Sequence, residues 1–377
     1  MPGLYPATPV ESLPRQSKPN GAAIVGGDYS PGAPFSVQID RLGDLVGCVL
    51  RLSGSITSSE EPGEPTARIR NPVDLLGNVL TLTVNGKPEA YAHPDLLLLR
   101  AMWRRGKMVQ LRHDRLTTTE CGQTGVKDFA LELPLDFMVE SIIPSTIGLL
   151  FGEGASSPTG IELRGTWGAG PSSLMTNPGD QVVTASLSLE KSIVFAPRGG
   201  KGGFDPMQAR YGFGHWALNQ PAGKDVTSTG AKSFSVDIPG GRAYAGLYLR
   251  AVAGSDAQPS DAPWAYAGGL TRIKRGTEIL FERATADCIS DTAAGLPNFD
   301  PTLNGPTDRS GWLVIDPLKG YRAESISVMS RLILSGNGQP LTVEVDAVAG
   351  TGHHIDLMTE EMIDPESSAS QRYARVR

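Results

Sequence analysis

The side chains that could do chemistry are few, and the histidines are the first to consider. His353 and His354 are followed by Asp356, and all three are residue types that ligate zinc. Adjacent residues of a strand point to opposite faces, however, and no spacing in the sequence fixes a third ligand. His93 directly precedes Pro94 at a predicted helix start, where it suits capping better than catalysis. We therefore expect neither a metal site nor a catalytic base among these residues.

Three further stretches invite a chemical interpretation. Residues 198–203 are rich in glycine and follow an apolar strand, but they lack the lysine followed by serine or threonine of a phosphate-binding loop. The acidic loop at residues 60–64 lies among serines and prolines, where carboxylates are solvated. Residues 287–310 carry acidic side chains without the spacing of a calcium loop, so we predict an exposed outer loop. The sequence thus predicts no catalytic residues, no metal ligands and no cofactor.

The densest group of positive charges has three competing interpretations. It consists of six basic residues in and after one predicted helix: Arg100, Arg104, Arg105, Lys107, Arg112 and Arg115. A solvated face is the first interpretation, because charged runs usually lie in water. The second is a contact with acidic loops of a neighbouring subunit, because arginine is enriched in interfaces. The third is a contact with a membrane or a nucleic acid.

The overall composition fits a globular protein with two domains. The chain has 377 residues, of which 40% are hydrophobic and 20% are charged. That length is about the size of two sandwich domains. The formal net charge of −6 provides no positive field, so we expect no sequence-specific nucleic acid partner. The first residues lack a signal-peptide pattern and no apolar run could span a bilayer, so we expect synthesis in the cytoplasm.

The elements that must position these side chains are short strands. The 45 glycines and 29 prolines concentrate between short apolar runs, which predicts many turns. Strands are predicted in the first half at residues 35–39, 45–56, 79–84, 109–112, 128–135, 147–151 and 160–167. Asn85-Gly86 predicts a tight hairpin turn. Pro94 and Asp95 predict the start of one short helix, and Gly106 predicts its end.

The second half of the chain repeats the first. At an offset of 199 residues, which aligns Phe35 with Phe234, seven of the seventeen positions from 35 to 51 are identical. About one identity is expected by chance at ordinary residue frequencies. At an offset of 190, the residues Leu80, Thr81 and Gly86 recur as Leu270, Thr271 and Gly276. A repeat of this length is too long for a solenoid unit and predicts a duplicated domain.

These patterns predict an all-β protein of two tandem β-sandwiches with one short helix in the first. The predicted parts are an extended N-terminal arm at 1–30, the first sandwich at 31–170, a linker at 171–181, the second sandwich at 182–350 and a C-terminal tail at 351–377. Proline and glycine in the arm argue against a helix or a regular strand. The charged tail is expected to order on contact with a neighbour.

The order of parts over residues 31–350 resembles the double jelly-roll major capsid proteins of tailless icosahedral viruses. The stretches that carry the resemblance are FSVQI at 35–39, the apolar strand through 47–50, LTLTVNG at 80–86, the helix, and the strand that ends at Pro134. Tectiviruses and corticoviruses are the nearest comparison. The resemblance implies a structural protein of the virion without enzyme activity. It also implies a homotrimer whose six jelly rolls form a pseudo-hexagonal capsomer of an icosahedral shell.

The resemblance further implies which partners the protein has. These are neighbouring capsomers, minor capsid proteins and an internal membrane touched by the chain termini, in a virus that infects bacteria. The alternative is a tandem β-sandwich that binds carbohydrate or acts as a glycan amidase, for which a cleft lined by exposed tryptophans is expected. The five tryptophans are scattered along the chain instead: Trp103, Trp167, Trp216, Trp264 and Trp312.

Overall fold

The fold was taken from a computed structural model that describes most of the predicted strands. The described residues are 15–19, 29–38, 44–58, 72–77, 79–84, 87–105, 111–112, 125–136, 161–168, 182–194, 216–221, 223–240, 242–254, 258–296, 311–317, 333–334 and 339–362. The predicted strand at 147–151, the glycine-rich loop at 198–203 and the acidic loop at 60–64 lie outside these residues.

The first half of the chain forms two sheets and one helix. Its strands are β1 (Arg15–Pro19), β2 (Pro34–Gln38), β3 (Asp44–Ser58), β4 (Leu80–Val84), β5 (Lys87–Ala92), β6 (Leu111–Arg112), β7 (Gly125–Asp136), β8 (Ile161–Thr166) and β9 (Val182–Val194). A 3-10 helix spans Pro72–Leu76, and helix α1 spans Pro94–Arg105. One sheet has the order β1-β9-β3-β7-β6, and the other contains the series β5-β4-β8-β2.

The second half follows the same plan. Its strands are β10 (Trp216–Asn219), β11 (Lys224–Asp225), β12 (Gly230–Ile238), β13 (Ala243–Ala253), β14 (Gln258–Pro259), β15 (Leu270–Arg275), β16 (Glu278–Ala284), β17 (Trp312–Ile315), β18 (Ile333–Leu334), β19 (Leu341–Ala347) and β20 (His354–Met362). A 3-10 helix spans Ala262–Trp264, and helix α2 spans Thr285–Gly295. One sheet has the order β12-β19-β15-β16, and the other contains β14-β13-β20-β10, with β17 and β18 on β13 and β11 on β20.

Strand pairing in the two halves is equivalent. The hairpin β4–β5 with β8 and β2 corresponds to the hairpin β15–β16 with β19 and β12. In the opposite sheets, β3 pairs with β7 and β9, just as β13 pairs with β17 and β20. A β-bulge interrupts the β3–β9 ladder between Leu45 and Gly47, and another interrupts β13–β20 between Tyr244 and Gly246. These pairings confirm the two tandem sandwiches predicted from the repeat and the jelly rolls implied by the resemblance.

Each half also contains a helix directly after its hairpin. The prediction of α1 is confirmed, but the prediction of a helix in the first jelly roll alone is wrong. Helix α2 occupies part of the segment 287–310 that was predicted to be an exposed loop, while residues 297–310 lie outside the described part. Thr285, Cys288 and Thr292 are buried along one side of α2. Packing of that side therefore stabilises a helix whose sequence has only modest propensity.

The cores are built from alternating strand residues. In β3, Leu50 and Leu52 are each 1% exposed, whereas Arg51 between them points outward and is exposed. The corresponding β13 buries both faces: Leu249 lies in the core of the second sandwich, while Tyr248 packs with residues of the first. The outer face of β13 is therefore covered by the first half of the chain.

The observed strands divide the chain differently from the sequence-based boundaries. Residues 182–194, predicted to begin the second jelly roll, form β9, which pairs with β1 and β3. Residues 354–362 of the predicted tail form β20, which pairs with β10 and β13. Residues 15–19 of the predicted arm form β1 at the edge of the first sheet. Each half therefore ends with a strand, β9 or β20, that pairs with other strands of the same half.

Candidate functional site at the junction of the two jelly rolls

Helix α1 lies between the two jelly rolls, and its contacts with β13, β17 and β20 form what we call the junction. The carbonyl of His93 accepts the backbone N–H groups of Leu96 and Leu97, and its Nδ1 accepts that of Asp95 at 3.1 Å. The predicted capping role of His93 is thus confirmed. Residues 96–99 are four leucines, each at most 1% exposed. Four successive leucines point to all sides of the helix, so this part of α1 must be covered on all sides, and it is covered by both halves.

The carboxylate of Glu360 in β20 is the centre of the junction. Its Oε1 accepts a hydrogen bond from Arg100 Nη2 at 2.7 Å, and its Oε2 accepts one from Arg104 Nη2 at 2.6 Å. The hydroxyl of Tyr248 donates to Oε2 at 2.8 Å. Burial alone would raise the pKa of Glu360, but the two guanidinium groups outweigh it and hold the pKa at about 2. Glu360 is therefore an anion that is fully paired away from water.

Arg104 also makes hydrogen bonds to groups next to the Glu360 carboxylate, one on β13 and one directly after β17. Its Nη1 donates to Asp316 Oδ2 at 2.9 Å, and Trp103 Nε1 donates to the same oxygen at 2.7 Å. Its Nη2 donates to the carbonyl of Ala245 at 3.0 Å. A Cβ at Gly246 would lie 3.2 Å from Arg104 Nη2, so the glycine of the β13 bulge leaves room for the guanidinium group.

A second group of buried charges joins the start of α1 to β13 and β20. Arg250 Nε lies 2.9 Å from Asp95 Oδ2, and Arg250 Nη1 lies 3.3 Å from Asp356 Oδ2. The indole N–H of Trp312 donates to the same oxygen of Asp95 at 3.0 Å. Burial raises the pKa of Asp95, although Arg250 and Trp312 oppose this effect. Asp95 is thus the point at which β13 and β17 of the second half meet α1.

His354 extends this group toward the surface. Its Nδ1 lies 2.8 Å from Asp225 Oδ1, and its Nε2 lies 3.1 Å from Asp356 Oδ1. The hydrogen bonds to Asp356 and Asp225 outweigh partial burial and raise the pKa of His354 to about 9. The imidazole is therefore charged at neutral pH. Its neighbour His353 contacts the carbonyl of Val348 instead, through Nδ1 at 2.7 Å.

The backbone also connects the two halves. Strand β10 runs parallel to β5, with Leu218 opposite Ala90 and Asn219 opposite Tyr91. The N–H of Gln220 donates to the carbonyl of Tyr91 at 2.8 Å, and the side-chain oxygen of Gln220 accepts the N–H of His93. One sheet therefore continues from the first jelly roll into the second.

Chemically, the junction is a set of closed ion pairs. Each of its carboxylates contacts a guanidinium or imidazolium group, and an arginine side chain has no basic lone pair to offer a substrate. Removing either partner of such a buried pair is strongly destabilising, because the remaining charge would be left without compensation. The arrangement is suited to holding two sandwiches in one orientation.

The basic residues predicted from the sequence are partly in this junction. A solvated face is the wrong interpretation for Arg100 and Arg104, because both are buried against acidic side chains. Those acids belong to the same chain, so the contact is one between jelly rolls. The side chains of Arg105 and Arg112, and all of Lys107 and Arg115, lie outside what the structure describes.

The sequence-based reasoning missed Glu360 as the partner of these arginines. The carboxylate lies 260 residues after Arg100, and no local spacing connects them. The available signal was the alternation in β20, where Asp356 and Glu360 are four residues apart and therefore share one strand face. Acidic residues on one face of an apolar strand indicate a buried cationic partner.

The remaining chemical candidates do not converge on a second site. Among the described residues, no group of three or more histidine, cysteine, aspartate or glutamate side chains is arranged to hold a metal ion. Trp167, Trp264 and Trp312 are buried, and Trp103 is half-buried, so none of these four lines an open cleft. Within the same described part of the chain, no helix is long and apolar enough to cross a membrane.

Solved structures of viral capsid proteins are similar to this chain over nearly its whole length. The major capsid protein of Sulfolobus Turreted Icosahedral Virus matches with a TM-score of 0.60 and 13% identity, covering 93% of this chain and 97% of that one. The PBCV-1 virus capsid matches with a TM-score of 0.51 and 11% identity, covering 96% and 95%. The Faustovirus major capsid protein matches with a TM-score of 0.50 and 10% identity, covering 93% and 89%.

No family model matches this sequence, and no curated protein matches it. The similarity therefore lies in the arrangement of strands and not in the residues. It extends over both jelly rolls, because nearly all of each chain is aligned. The chain has the double jelly-roll fold of these viral major capsid proteins.

Proposed function

We propose that this protein is a major capsid protein that builds the shell of an icosahedral virus. The observation that carries the proposal is the match to a viral major capsid protein across 93% of this chain and 97% of the other, with both jelly rolls included. A fold by itself does not fix a function. Here the junction of closed ion pairs supports the same conclusion, since a shell protein needs two sandwiches held rigidly.

The protein works by assembly and not by catalysis. The buried charges of the junction pair α1 with β13 and β20, while Trp167, Trp264 and Trp312 are buried and Trp103 is half-buried. The carbohydrate-binding and glycan-amidase alternative needs exposed aromatic side chains on a concave surface. We therefore favour a structural protein of the virion, without a cofactor and without sequence-specific binding of nucleic acid.

The assembled unit is a homotrimer with a pseudo-hexagonal outline. Two similar jelly rolls per chain, related by a fixed junction, supply six similar units when three chains close into a ring. Such capsomers contact one another and minor capsid proteins, and the chain termini reach toward an internal membrane. A bacterial host remains a prediction from the resemblance to tectiviruses and corticoviruses.

We also propose revised boundaries for the two jelly rolls. The first extends from β1 to β9, and the second extends from β10 to β20, with the connection at residues 195–215. The proposal rests on strand pairing, since β9 pairs with β1 and β3, and β20 pairs with β10 and β13. Limited proteolysis tests it, because cleavage is expected between 195 and 215 before it occurs between 171 and 181.

Electron microscopy and light scattering of the purified protein test the proposed function. We expect particles with threefold symmetry and a hexagonal outline, at a mass near three chains of 39.9 kDa each. Closed shells on raising the protein concentration or changing the salt would extend the result to assembly. Two-lobed monomers at every concentration, together with binding to a glycan array, would overturn the proposal in favour of the alternative.

A further inference from the structure

Arg250 and Asp95 each have an equivalent residue in the other half of the chain, and both of these equivalents lie on the surface. Arg250 corresponds to Arg51 at the repeat offset of 199 residues. Both arginines follow a leucine that is at most 1% exposed, Leu249 and Leu50, and both come after the bulge of their strand. Arg250 is 5% exposed beneath α1, whereas Arg51 is exposed on the outer face of β3.

Asp95 has its equivalent in α2. Leu80 pairs with Ala92 at the base of the first hairpin, and Leu270 pairs with Ala284 at the base of the second. Three residues after each of these alanines comes an aspartate in the first turn of a helix, Asp95 in α1 and Asp287 in α2. Asp95 is 3% exposed, whereas Asp287 is exposed.

The helix surface around Asp287 corresponds to the buried surface of α1. The exposed residues of α2 fall on one side of the helix, at Ala286, Asp287, Ser290, Ala293 and Ala294. The opposite side packs into the second core through Cys288 and against β17 through Thr292. In α1 the equivalent side is covered by the second jelly roll. In α2 it faces outward.

The sheet edges repeat the same relation. In the junction, β5 at the end of one four-strand series pairs with β10. The equivalent of β5 is β16, which ends the sheet β12-β19-β15-β16, and the equivalent of β10 is β1, which ends the sheet β1-β9-β3-β7-β6. At the junction, a helix face, a sheet face and two sheet edges thus meet inside the chain. The equivalent faces and edges lie at the surface of the chain.

We propose that a second copy of this chain covers these surfaces: the exposed side of α2 docks on the outer face of β3 in the next subunit, and Asp287 pairs with that subunit's Arg51. The inference rests on the proposed trimer and names the residues that close it. Repeating the rotation between the two jelly rolls creates a heterologous interface, which closes into a ring after three chains. The opposite charges at 51 and 287 support a second copy of this chain as the partner, because one sequence carries both residues of the pair.

The interface between chains differs from the junction in its charges. The β20 residues that surround Arg250 and Arg104 are Asp356 and Glu360, and the β9 positions in the same register are Ser188 and Ser192. With two serines in place of the two carboxylates, the contact between chains is expected to be weaker than the contact within a chain. A single change of charge is therefore expected to dissociate the contact between chains.

A charge exchange tests the proposed pair in the full-length protein. The variants are Arg51→Glu, Asp287→Arg and the double variant that carries both, with Asp261→Arg as a control at an exposed aspartate outside α2. Light scattering over a dilution series gives the concentration at which half of the trimer dissociates. Each single reversal is expected to raise this concentration by about tenfold or more, and the double variant to restore it to within about threefold.

The outcomes separate this inference from the proposed function. A wild-type protein that forms trimers, with single variants that dissociate as it does, would overturn the Asp287–Arg51 contact and leave the capsid function standing. A wild-type protein that forms no trimer under any condition would overturn both. If a reversal variant does not fold by circular dichroism, Ser290→Trp on the same exposed side of α2 replaces it. That variant is expected to stay monomeric and folded, and trimers at wild-type concentration would contradict the proposal.

Discussion

Helices α1 and α2 follow equivalent hairpins but have different surroundings. Leu98 and Leu99 of α1 are fully buried, because the helix has one jelly roll on each side. Ser290 and Ala293 of α2 are exposed, although the other side of that helix packs in the same way. The two helices keep equivalent positions, but the outer face carries Leu98 in α1 where α2 has Ser290. Sequence divergence therefore tracks what each copy contacts.

The sheet faces opposite the two helices differ in the same direction. The face of β20 presents Asp356 and Glu360 to the arginines of the junction. The corresponding positions in β9 are serines. Buried carboxylates require cations at fixed distances, which one chain can supply permanently. A face that meets another subunit after synthesis is solvated until the partner arrives, and each charge on it must then lose its water.

Among the changes that test this comparison, removal of the Glu360 carboxylate should have the largest effect on stability. Glu360→Gln removes the buried anion that Arg100 and Arg104 share and leaves Arg104 with Asp316, so we expect a loss of about 3–5 kcal/mol in the free energy of unfolding. Urea denaturation measures it. The control is Glu282→Gln, which removes an exposed partner of Arg272 and should cost about 1 kcal/mol or less. Equal effects of the two changes would mean that the junction is not a main source of stability.

Matched changes of the two equivalent aspartates should have an intermediate effect. Asp95→Asn keeps an acceptor for Trp312 but removes the charge that faces Arg250, so we expect a loss of about 2 kcal/mol. Asp287→Asn lies in the exposed first turn of α2, where the helix dipole contributes at most about 1 kcal/mol. Thermal unfolding of dilute monomer compares the two. The comparison fails if Asp287→Asn is the more damaging change.

The titration of His354 should have the smallest effect. Its pKa is raised from 6.5 to about 9 in the folded protein, so its contribution to stability is complete below pH 6.5 and is lost as the pH rises through about 9. We expect His354→Gln to destabilise the protein at pH 6 and to match the wild type above pH 10. NMR titration of the imidazole gives the pKa directly. A midpoint near 6.5 would contradict the expectation.

Local patterns were enough to predict much of the fold. Asn85-Gly86 predicted the pairing of β4 with β5, and Pro94 predicted the start of α1, because turn and capping chemistry depend on residues close in sequence. The offset between Phe35 and Phe234 predicted two equivalent strands, β2 and β12. The offset of 190 between Leu80 and Leu270 could also have predicted α2, since it places a helix after the second hairpin as after the first.

The junction could not be predicted in the same way. Arg100 and Arg104 were interpreted as a solvated face because their partner Glu360 is more than 250 residues away. Charge runs on short helices usually lie in water, and the exception depends on tertiary contacts that spacing does not encode. β9 and β20 were assigned to the wrong parts for a related reason: a strand's partners depend on topology, whereas its sequence shows only that it is a strand.

The wide separation of Arg100 and Glu360 also has a consequence for synthesis on the ribosome. The chain must grow by 260 residues between the two, which takes roughly 13–50 seconds at about 5–20 residues per second. Strand β9 closes the first sheet well before then, so the first jelly roll forms while one side of α1 has no cover. During that interval we expect Arg100 and Arg104 to keep this side hydrated, because both guanidinium groups are still open to water. The charges that later stabilise the junction are then expected to reduce aggregation of a half-made molecule.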